Sequence, residues 1–528
     1  MNDTLSFDIE TVLAALSPEQ RVGQMMAAGF DGLEAPGYIL DWLRAGRLGT
    51  VILFARNVAG PAQLADLTAS LREASPLPLL IAVDQEGGIV ARMRAPFTES
   101  PGNMALGAAG DPDLARRMAG VLAAEMRAVG INWNLAPVVD VMSNPANPAI
   151  GVRSYGSDPA KVGLLVAAQI QGYQAAGVAA CAKHFPGHGN TAIDSHLDLP
   201  VIASDRAHLD AVDLPPFRAA IAAGVSSVMA AHIRFPTLDP VNPSTLSRAV
   251  LYDLLRGELR FEGVLTTDCM EMRAISDRYG AGESAVLAAL AGVDVIFFSH
   301  TAEKQAAAHD GVLKAVYSGR ISAERIAEAA RRILTLKARY AGTPQPFTPE
   351  LIATPEHRAV AQEAARAGVV MVRQETGVLP LRPDDGRRVV MVEFASYLDS
   401  EALERGGQTG LAERLKERLA GLETIALESN FTPEQAARAR ATATGADVLL
   451  LAVRSAHLYP PETQLADLLI ADARRVVLVA LRNPHDVARF PTCKTALASL
   501  GDASPSLDAV VSALLGDYIP SANLPVPL

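Results

Sequence analysis

The sequence predicts an α/β protein in which an eight-stranded β/α barrel of the TIM type precedes a smaller open α/β sandwich domain. Three observations support this fold class. Short apolar segments alternate with amphipathic helical patterns through the first part of the chain. The apolar segments are continuous, as in parallel strands that are buried on both faces. Ionisable residues follow several of these segments, at the strand ends where such a barrel carries its active site.

Eight apolar segments are predicted to form the barrel strands. Consecutive segments are far enough apart for a crossover helix between most of them, as a parallel barrel requires. The predicted strands are Gln24–Phe30, Thr50–Arg56, Leu79–Gln85, Ile131–Asp140, Ala179–Phe185, Ser226–Ile233, Gly263–Cys269 and Val293–Ser299.

The helices of the barrel are predicted from amphipathic periodicity and from their end signals. A first helix is expected to start at Ser17 as the N-cap, with Pro18 at the first helical position. The further predicted helices include Pro61–Glu73, Asp113–Val129, Pro159–Ala176, Ser247–Leu259 and Ala302–Ala338.

Polar residues end five of the predicted strands, and a barrel would bring them to one face. Asp140 and His232 also have a simpler explanation, as structural residues that are satisfied by backbone groups. The residues at or just beyond the strand ends are Asp84 and Arg92, Asp140, Lys183 and His184, His232, and Asp268.

A second, smaller α/β unit is predicted beyond the barrel. The Gly-, Pro- and Thr-rich segment Tyr340–Pro349 is typical of a linker. We divide the chain into a barrel at 1–342, a linker with the first elements of the second domain at 343–385, and the second domain at 386–528. A Gly-rich phosphate loop is missing from this part, so we expect it to pack on the barrel or to mediate assembly. Its predicted elements are strands Val369–Arg373, Arg388–Phe394, Glu423–Ser429, Val448–Arg454 and Arg475–Leu481, with helices Pro355–Ala367 and Thr432–Ala443.

Composition restricts the class of partner. The 528 residues carry a net charge of −11, which argues against a nucleic acid or an anionic membrane as partner. Three widely spaced cysteines do not form a disulfide framework or a zinc ribbon. The acidic start does not resemble a signal peptide, and no apolar run reaches the length of a membrane span. We therefore expect a soluble cytoplasmic protein, and the oligomeric state stays open.

The loop Lys183–Pro200 contains three of the ten histidines and has three interpretations. The loop is interpreted as a surface loop whose side chains hydrogen-bond locally, as a metal site, or as a site for acid–base catalysis. His184 and His188 have a metal-like spacing, but Pro186 and Gly187 keep them from sharing a helix face. An Asp two residues from a His, as in Asp194-Ser195-His196, fixes the imidazole tautomer and raises its pKa. We favour the acid–base site and predict neither metal nor cofactor.

Asp268 is the second catalytic candidate. It ends an apolar strand, where an acid serves as a nucleophile or base, or caps the following helix. Combined with the His–Asp loop, it supplies the two groups that glycosidic cleavage with retention requires. These are a carboxylate that traps the sugar carbon and an acid that protonates the leaving oxygen.

Five motifs resemble glycoside hydrolase family 3, in its two-domain β-N-acetylglucosaminidase branch. The similarity covers the barrel from about Ser17 to Ala338 and, more weakly, the second domain. The loop of that family usually reads GHGD, whereas this chain has Gly189-Asn190, so one carboxylate is missing beside the dyad. The motifs, in family order, are DQEGGIVARMR from Asp84, NLAPVVDV from Asn134, GVRSYG from Gly151, KHFPGHGNTAIDSH from Lys183 and LTTDCMEM from Leu265.

The resemblance implies an exo-acting, retaining enzyme that removes terminal β-linked N-acetylglucosamine from muropeptides or chitin oligosaccharides, as in peptidoglycan recycling. It implies that Asp268 is the nucleophile and that Asp194 and His196 form the acid/base dyad. The sugar-binding residues are expected to be Asp84, Arg92, Arg153, Lys183 and His184, to which His232 is added as a strand-end residue.

Three alternatives remain at this stage. A histidine acid/base is neutral after the first step, so phosphate can approach as a second partner and phosphorolysis competes with hydrolysis. A barrel metallohydrolase would use His184, His188 and His196, although the first strand lacks the His-x-His pair common in such enzymes. An inactive sugar-binding homologue would lack Asp268 or the dyad, and both are present.

Overall fold

The first part of the chain folds into a closed barrel of eight parallel strands. The computed structural model describes residues 8–191, 198–342, 346–384, 386–395 and 410–528. Each barrel strand pairs with the next along the chain, and the eighth pairs with the first, so the predicted barrel is confirmed. Strands β1 to β8 are Met26–Ala28, Thr50–Leu53, Leu80–Val83, Trp133–Asn134, Ala179–Phe185, Ser227–Ala230, Val264–Cys269 and Val295–Phe298.

Strand β4 is much shorter than its apolar sequence predicts. Regular pairing stops at Asn134, and Val138 adds one isolated bridge to Lys183. The Asn134 side chain bonds both the N–H and the C=O of Gln85, at 3.0 Å each. Pro137 has no N–H to donate to a ladder. Asp140 therefore lies in a loop beyond the strand rather than at its end.

The helices surround the barrel largely as predicted. The helix start at Ser17 is confirmed, because Ser17 and Gln20 exchange side-chain to backbone bonds at 3.1 and 3.3 Å. The long helix predicted at 302–338 is two helices, separated near Gly319, whose φ of +74° suits glycine. The α-helices up to residue 342 are Ile9–Ala15, Pro18–Gln24, Gly37–Arg44, Pro61–Ala74, Asn103–Ala109, Pro112–Ala128, Pro159–Ala175, Arg206–His208, Leu214–Ala222, Arg273–Ser276, Ala281–Ala291, Ala302–Tyr317 and Ala323–Tyr340. Short 3₁₀ turns are Ala55–Asn57, Gly151–Arg153 and Ser244–Leu246, and π-helical turns are Leu209–Asp213 and Ala249–Glu258.

The second part of the chain forms a six-stranded sheet. Its strands β9 to β14 are Val370–Arg373, Val389–Phe394, Glu423–Leu427, Val448–Val453, Val476–Ala480 and Thr495–Ala498. They are arranged in the order β9-β14-β13-β12-β10-β11, and within this sheet β9 and β14 are antiparallel whereas the other neighbouring strands are parallel. Strand β14 was not predicted, because its four residues stand apart from any longer apolar segment. The helices are Pro355–Gly368, Leu411–Lys416, Pro433–Ala443, Pro460–Asp472, His485–Arg489 and Ser504–Leu515, with 3₁₀ turns at Pro349–Leu351 and Ala456–Leu458.

The two parts pack through a shared apolar cluster. Met104, Met142 and Val152 of the barrel belong to the same buried cluster as one face of the second sheet. The other face of that sheet packs against its own helices. The second domain therefore lies against the loops that carry the DQEGG and GVRSYG motifs. The domain boundaries after residues 342 and 385 stay predictions.

A helix that crosses a lipid bilayer needs about 20 predominantly apolar residues. None of the helices in residues 8–191, 198–342, 346–384, 386–395 and 410–528 is both long and apolar enough to cross a membrane.

Candidate active site

A cavity of 240 Å³ opens at the carboxyl ends of the barrel strands. Its walls come from the ends of β2, β3, β5, β7 and β8 and from the loops that follow them. Six of the predicted site residues line it: Asp84, Arg92, Arg153, Lys183, His184 and Asp268. Asp194 and His196 lie outside the described residues. The structure places His232 behind the cavity wall rather than on it.

Lys183, at the carboxyl end of β5, is the centre of a buried charge network. Its Nζ lies 2.7 Å from Asp84 Oδ1 and 2.7 Å from Glu86 Oε1. Burial alone would lower the pKa of the ammonium group, but the two carboxylates raise it above its usual 10.5. Lys183 therefore stays charged and offers N–H donors to a ligand in the cavity.

Arg153 continues this network from the 3₁₀ turn Gly151–Arg153. Its Nε and Nη2 donate to the two oxygens of Glu86 at 2.9 and 2.8 Å, a bidentate pair. Burial alone would raise the pKa of Glu86, but Arg153 and Lys183 hold it well below its usual 4.5. Asn103 fixes the turn by donating to the Arg153 carbonyl at 2.8 Å. The guanidinium is thus held rigidly before any ligand arrives.

His184 is oriented by Asp140, which was predicted as a strand-end residue but not as a sugar-binding one. Its Nδ1 donates to Asp140 Oδ2 at 2.7 Å, and the second Asp140 oxygen accepts from the His188 backbone N–H at 2.7 Å. Arg153 Nη2 lies 3.4 Å from His184 Nε2, and because a guanidinium only donates, Nε2 accepts there. Asp140 therefore fixes both the His184 tautomer and the start of the following loop.

His188 also lines the cavity but differs electrostatically from His184. Its Nδ1 lies 2.9 Å from the Thr191 hydroxyl. Burial, and secondly the nearby His184, lowers the pKa of His188 to about 4. The ring is neutral at physiological pH. Across residues 8–191 and 198–342, no group of three or more His, Cys, Asp or Glu side chains is arranged to hold a metal ion.

Asp268 lines the cavity near the end of β7. Its carboxylate is half-buried at the cavity, and Oδ1 accepts from the Cys269 backbone N–H at 2.7 Å. The next helix, Arg273–Ser276, has Met272 at its N-cap position, so Asp268 does not serve as a helix cap. Position and partner agree with an acid that faces a ligand.

Sequence reasoning missed several residues at the cavity. Glu86 stands in the same motif as Asp84 and could have been found from that adjacency. The mouth is lined by the Phe54 ring, with Arg56 stacked over it at 4.2 Å and the His300 ring at 5.3 Å. These residues come from β2 and from the segment after β8, and no polar pattern in the sequence pointed to them.

The fold and the site together define a β/α-barrel enzyme whose charged cavity suits a ligand with many hydroxyl groups. Residues 18–336 match the description "Glycosyl hydrolase family 3 N terminal domain". The chain belongs to glycoside hydrolase family 3, and the predicted family is confirmed.

Individual relatives agree with this assignment. The chain is 37% identical to β-hexosaminidase A of Pseudoalteromonas piscicida over 69% of its own length and 65% of that protein, so it matches about two thirds of this relative. It is 30% identical to a β-N-acetylglucosaminidase/β-glucosidase of Cellulomonas fimi, over 98% of this chain and 95% of the other. Among solved structures, a family 3 β-N-acetylglucosaminidase from Paenibacillus sp. str. FPU-7 superposes with a TM-score of 0.93 at 40% identity, covering 97% and 99% of the two chains.

Proposed function

We propose that this protein is an exo-acting, retaining β-N-acetylglucosaminidase that hydrolyses terminal β-linked N-acetylglucosamine. The observation that carries the proposal is the cavity at the strand ends, which is lined both by the Asp268 carboxylate and by the buried charges of the Lys183 network. Relatives named β-hexosaminidase and β-N-acetylglucosaminidase support the choice of sugar.

The nucleophile is assigned by comparing the three carboxylates that line the cavity. Asp84 and Glu86 each have an oxygen 2.7 Å from the Lys183 ammonium, and Glu86 also binds Arg153 through both oxygens. Such charge-assisted bonds lower the nucleophilicity of a carboxylate and hold it in place. Asp268 lines the same cavity from the end of β7, the strand opposite β3 in the barrel order, and its Oδ1 accepts from the Cys269 backbone N–H. Asp268 is therefore the group that attacks the anomeric carbon.

The reaction has two steps. In the first, Asp268 forms a bond to the anomeric carbon, the bond to the leaving oxygen breaks, and protonated His196 donates its proton to that oxygen. In the second, His196 removes a proton from water, the water oxygen bonds the anomeric carbon, and Asp268 departs. Asp194 raises the His196 pKa so that the ring starts protonated.

The fixed charges bind the sugar. Asp84 accepts from hydroxyl groups, whereas Arg92, Arg153 and Lys183 offer donors to hydroxyl and N-acetyl oxygens. His184 lines the sugar site beside Arg153, with Nε2 as an acceptor. Because these side chains are already paired with each other, little ordering entropy is lost when the sugar binds.

The natural substrate is proposed as a muropeptide or a chitin oligosaccharide, with a cytoplasmic role in peptidoglycan recycling. Phosphorolysis at the same site is the competing reaction. It would use the same Asp268 intermediate, with phosphate in place of water, because neutral His196 does not repel the anion.

Release of nitrophenol from the 4-nitrophenyl β-glycosides of N-acetylglucosamine and of glucose tests the proposal, with and without phosphate. We expect preference for the N-acetyl substrate and free N-acetylglucosamine in both buffers. A sugar 1-phosphate product would assign a phosphorylase instead. Turnover of neither glycoside by folded protein would refute the enzyme assignment and favour a sugar-binding role.

A further inference from the structure

The pairing between β6 and β7 stops just before the proposed nucleophile. The last paired residues are Ala230 and Thr267, so the β6–β7 register ends one residue before Asp268. On the other side, β8 continues its contact, because Met270 N donates to the Phe297 carbonyl at 2.8 Å. The segment that carries the proposed nucleophile thus leaves the β6 register while it stays bonded to β8.

His232 connects the segment after β6 to the end of β7 through its side chain. Its ring lies two residues beyond the end of β6 and is 1% exposed. Nε2 lies 2.9 Å from the Cys269 carbonyl oxygen. Because a carbonyl oxygen only accepts, Nε2 carries a proton and donates it. The imidazole therefore extends the cross-strand connection by one bond, from a side chain instead of the main chain.

The other edge of the ring is fixed as well. Nδ1 lies 2.7 Å from the Thr245 hydroxyl, which is itself 2.8 Å from the Ala231 carbonyl. Thr245 is fully buried in the 3₁₀ turn Ser244–Leu246 that follows β6. The ring is thus held at both nitrogens and has little freedom to rotate.

Cys269 connects the ring to the nucleophile. Its carbonyl accepts from His232 Nε2, and its N–H donates to Asp268 Oδ1 at 2.7 Å. We propose that His232 is a positioning residue that sets the direction of the Asp268 carboxylate through Cys269, without contact to the sugar. This inference rests on the proposed function and replaces the substrate-binding role predicted for His232.

The test compares two variants that differ in which ring nitrogen they imitate. In His232→Gln the amide N–H can occupy the position of Nε2 and donate to Cys269. In His232→Asn the amide reaches only the position of Nδ1, next to Thr245. We expect kcat of His232→Asn on 4-nitrophenyl β-N-acetylglucosaminide to fall about 10- to 100-fold, since sub-ångström misplacement of a reacting group has effects of that order. His232→Gln should stay within about fivefold of the wild type.

The affinity for the sugar separates positioning from contact. The inhibition constant of free N-acetylglucosamine should stay within about twofold in both variants, with circular dichroism confirming the fold. A loss of sugar affinity that matches the loss of kcat/KM would overturn the proposal, as would equal kcat in the Gln and Asn variants. If His232→Asn does not fold, Thr245→Val is the second test, because it removes the partner of His232 Nδ1. This variant should lower kcat severalfold and leave the inhibition constant of N-acetylglucosamine unchanged. Absence of turnover in the wild type would count against the proposed function itself, not against the difference between variants.

Discussion

Replacing Glu86 with Gln removes one charge from the buried network and keeps the side-chain shape. Lys183 then keeps its ion pair with Asp84, whereas Arg153 loses its bidentate carboxylate partner. Removing one partner of a buried ion pair costs roughly 3 to 5 kcal/mol. With an unfolding entropy of about 2.1 cal/mol/K per residue, a unit of about 320 residues should lose roughly 4 to 7 °C in Tm.

The pH dependence gives this prediction a second signature. The folded-state pKa of Glu86 lies below its usual 4.5, so the unfolded state binds the proton first as the pH falls. The stabilisation is complete at pH 7 and is lost progressively below about pH 4.5. The Tm difference between wild type and Glu86→Gln should therefore be full at pH 7 and smaller at pH 4.

Glu283→Gln is the matched control. Glu283 also forms two bonds with an arginine, Arg320, at 2.6 and 2.7 Å, but the two side chains are 48% and 45% exposed. An exposed ion pair contributes little to folding stability, so the Tm of Glu283→Gln should differ from that of the wild type by less than about 1 °C. Thermal unfolding of both variants at pH 7 and pH 4 makes the comparison. If Glu86→Gln melted within 1 °C of Glu283→Gln at pH 7, the Lys183–Glu86–Arg153 network would contribute no more to the stability of the barrel than an exposed ion pair.

Three further predictions concern catalysis and pH. Asp268→Asn should lower kcat on the aryl N-acetylglucosaminide at least about 10³-fold, and retained activity in this variant would reject Asp268 as the nucleophile. The control is Asp277→Asn, which removes an exposed acid paired with Arg273 and should stay active. Asp194→Asn should lower kcat more for an alkyl than for a 4-nitrophenyl leaving group, because nitrophenolate departs with little help from a general acid. An equal loss of kcat on both substrates would argue against a role of the dyad as the general acid. Burial lowers the pKa of His188 to about 4, so the unfolded state takes up this proton first and stability falls by up to about 3 kcal/mol between pH 6.5 and 4. Thermal unfolding of His188→Asn should show a flatter decline over that range, and an unchanged slope would show that another group titrates there.

The barrel was predictable because its evidence is periodic. A continuous apolar segment of strand length predicts a buried strand by itself, so all eight strands start within two residues of their predicted starts. The early end of β4 has a local cause. Apolar character extends to Val141, but Asn134 and Pro137 end the ladder, since one bonds through its side chain and the other has no N–H to donate.

The site was predictable only as far as residues stand at strand ends. Asp84, Lys183, His184 and Asp268 follow apolar segments, and the structure gathers them around one cavity. Arg153 comes from a short turn with no apolar strand before it, and the family resemblance alone pointed to it. The contacts of Glu86 and Asp140 join segments 67 and 44 positions apart in the chain, which no local pattern records.

The two kinds of acid in the cavity explain why a rigid network and a reactive carboxylate can coexist. Glu86 and Asp140 are buried, and their oxygens are bound by Arg153, Lys183 and the His184 and His188 groups. Acids held in this way keep donors aligned toward the sugar but cannot move to attack it. Asp268 sits on a different strand, β7, where it is half-buried at the cavity and its Oδ1 accepts from the Cys269 backbone N–H. This division suits the proposed mechanism, in which the acids of the network hold the sugar donors in place and Asp268 is the acid that attacks the anomeric carbon.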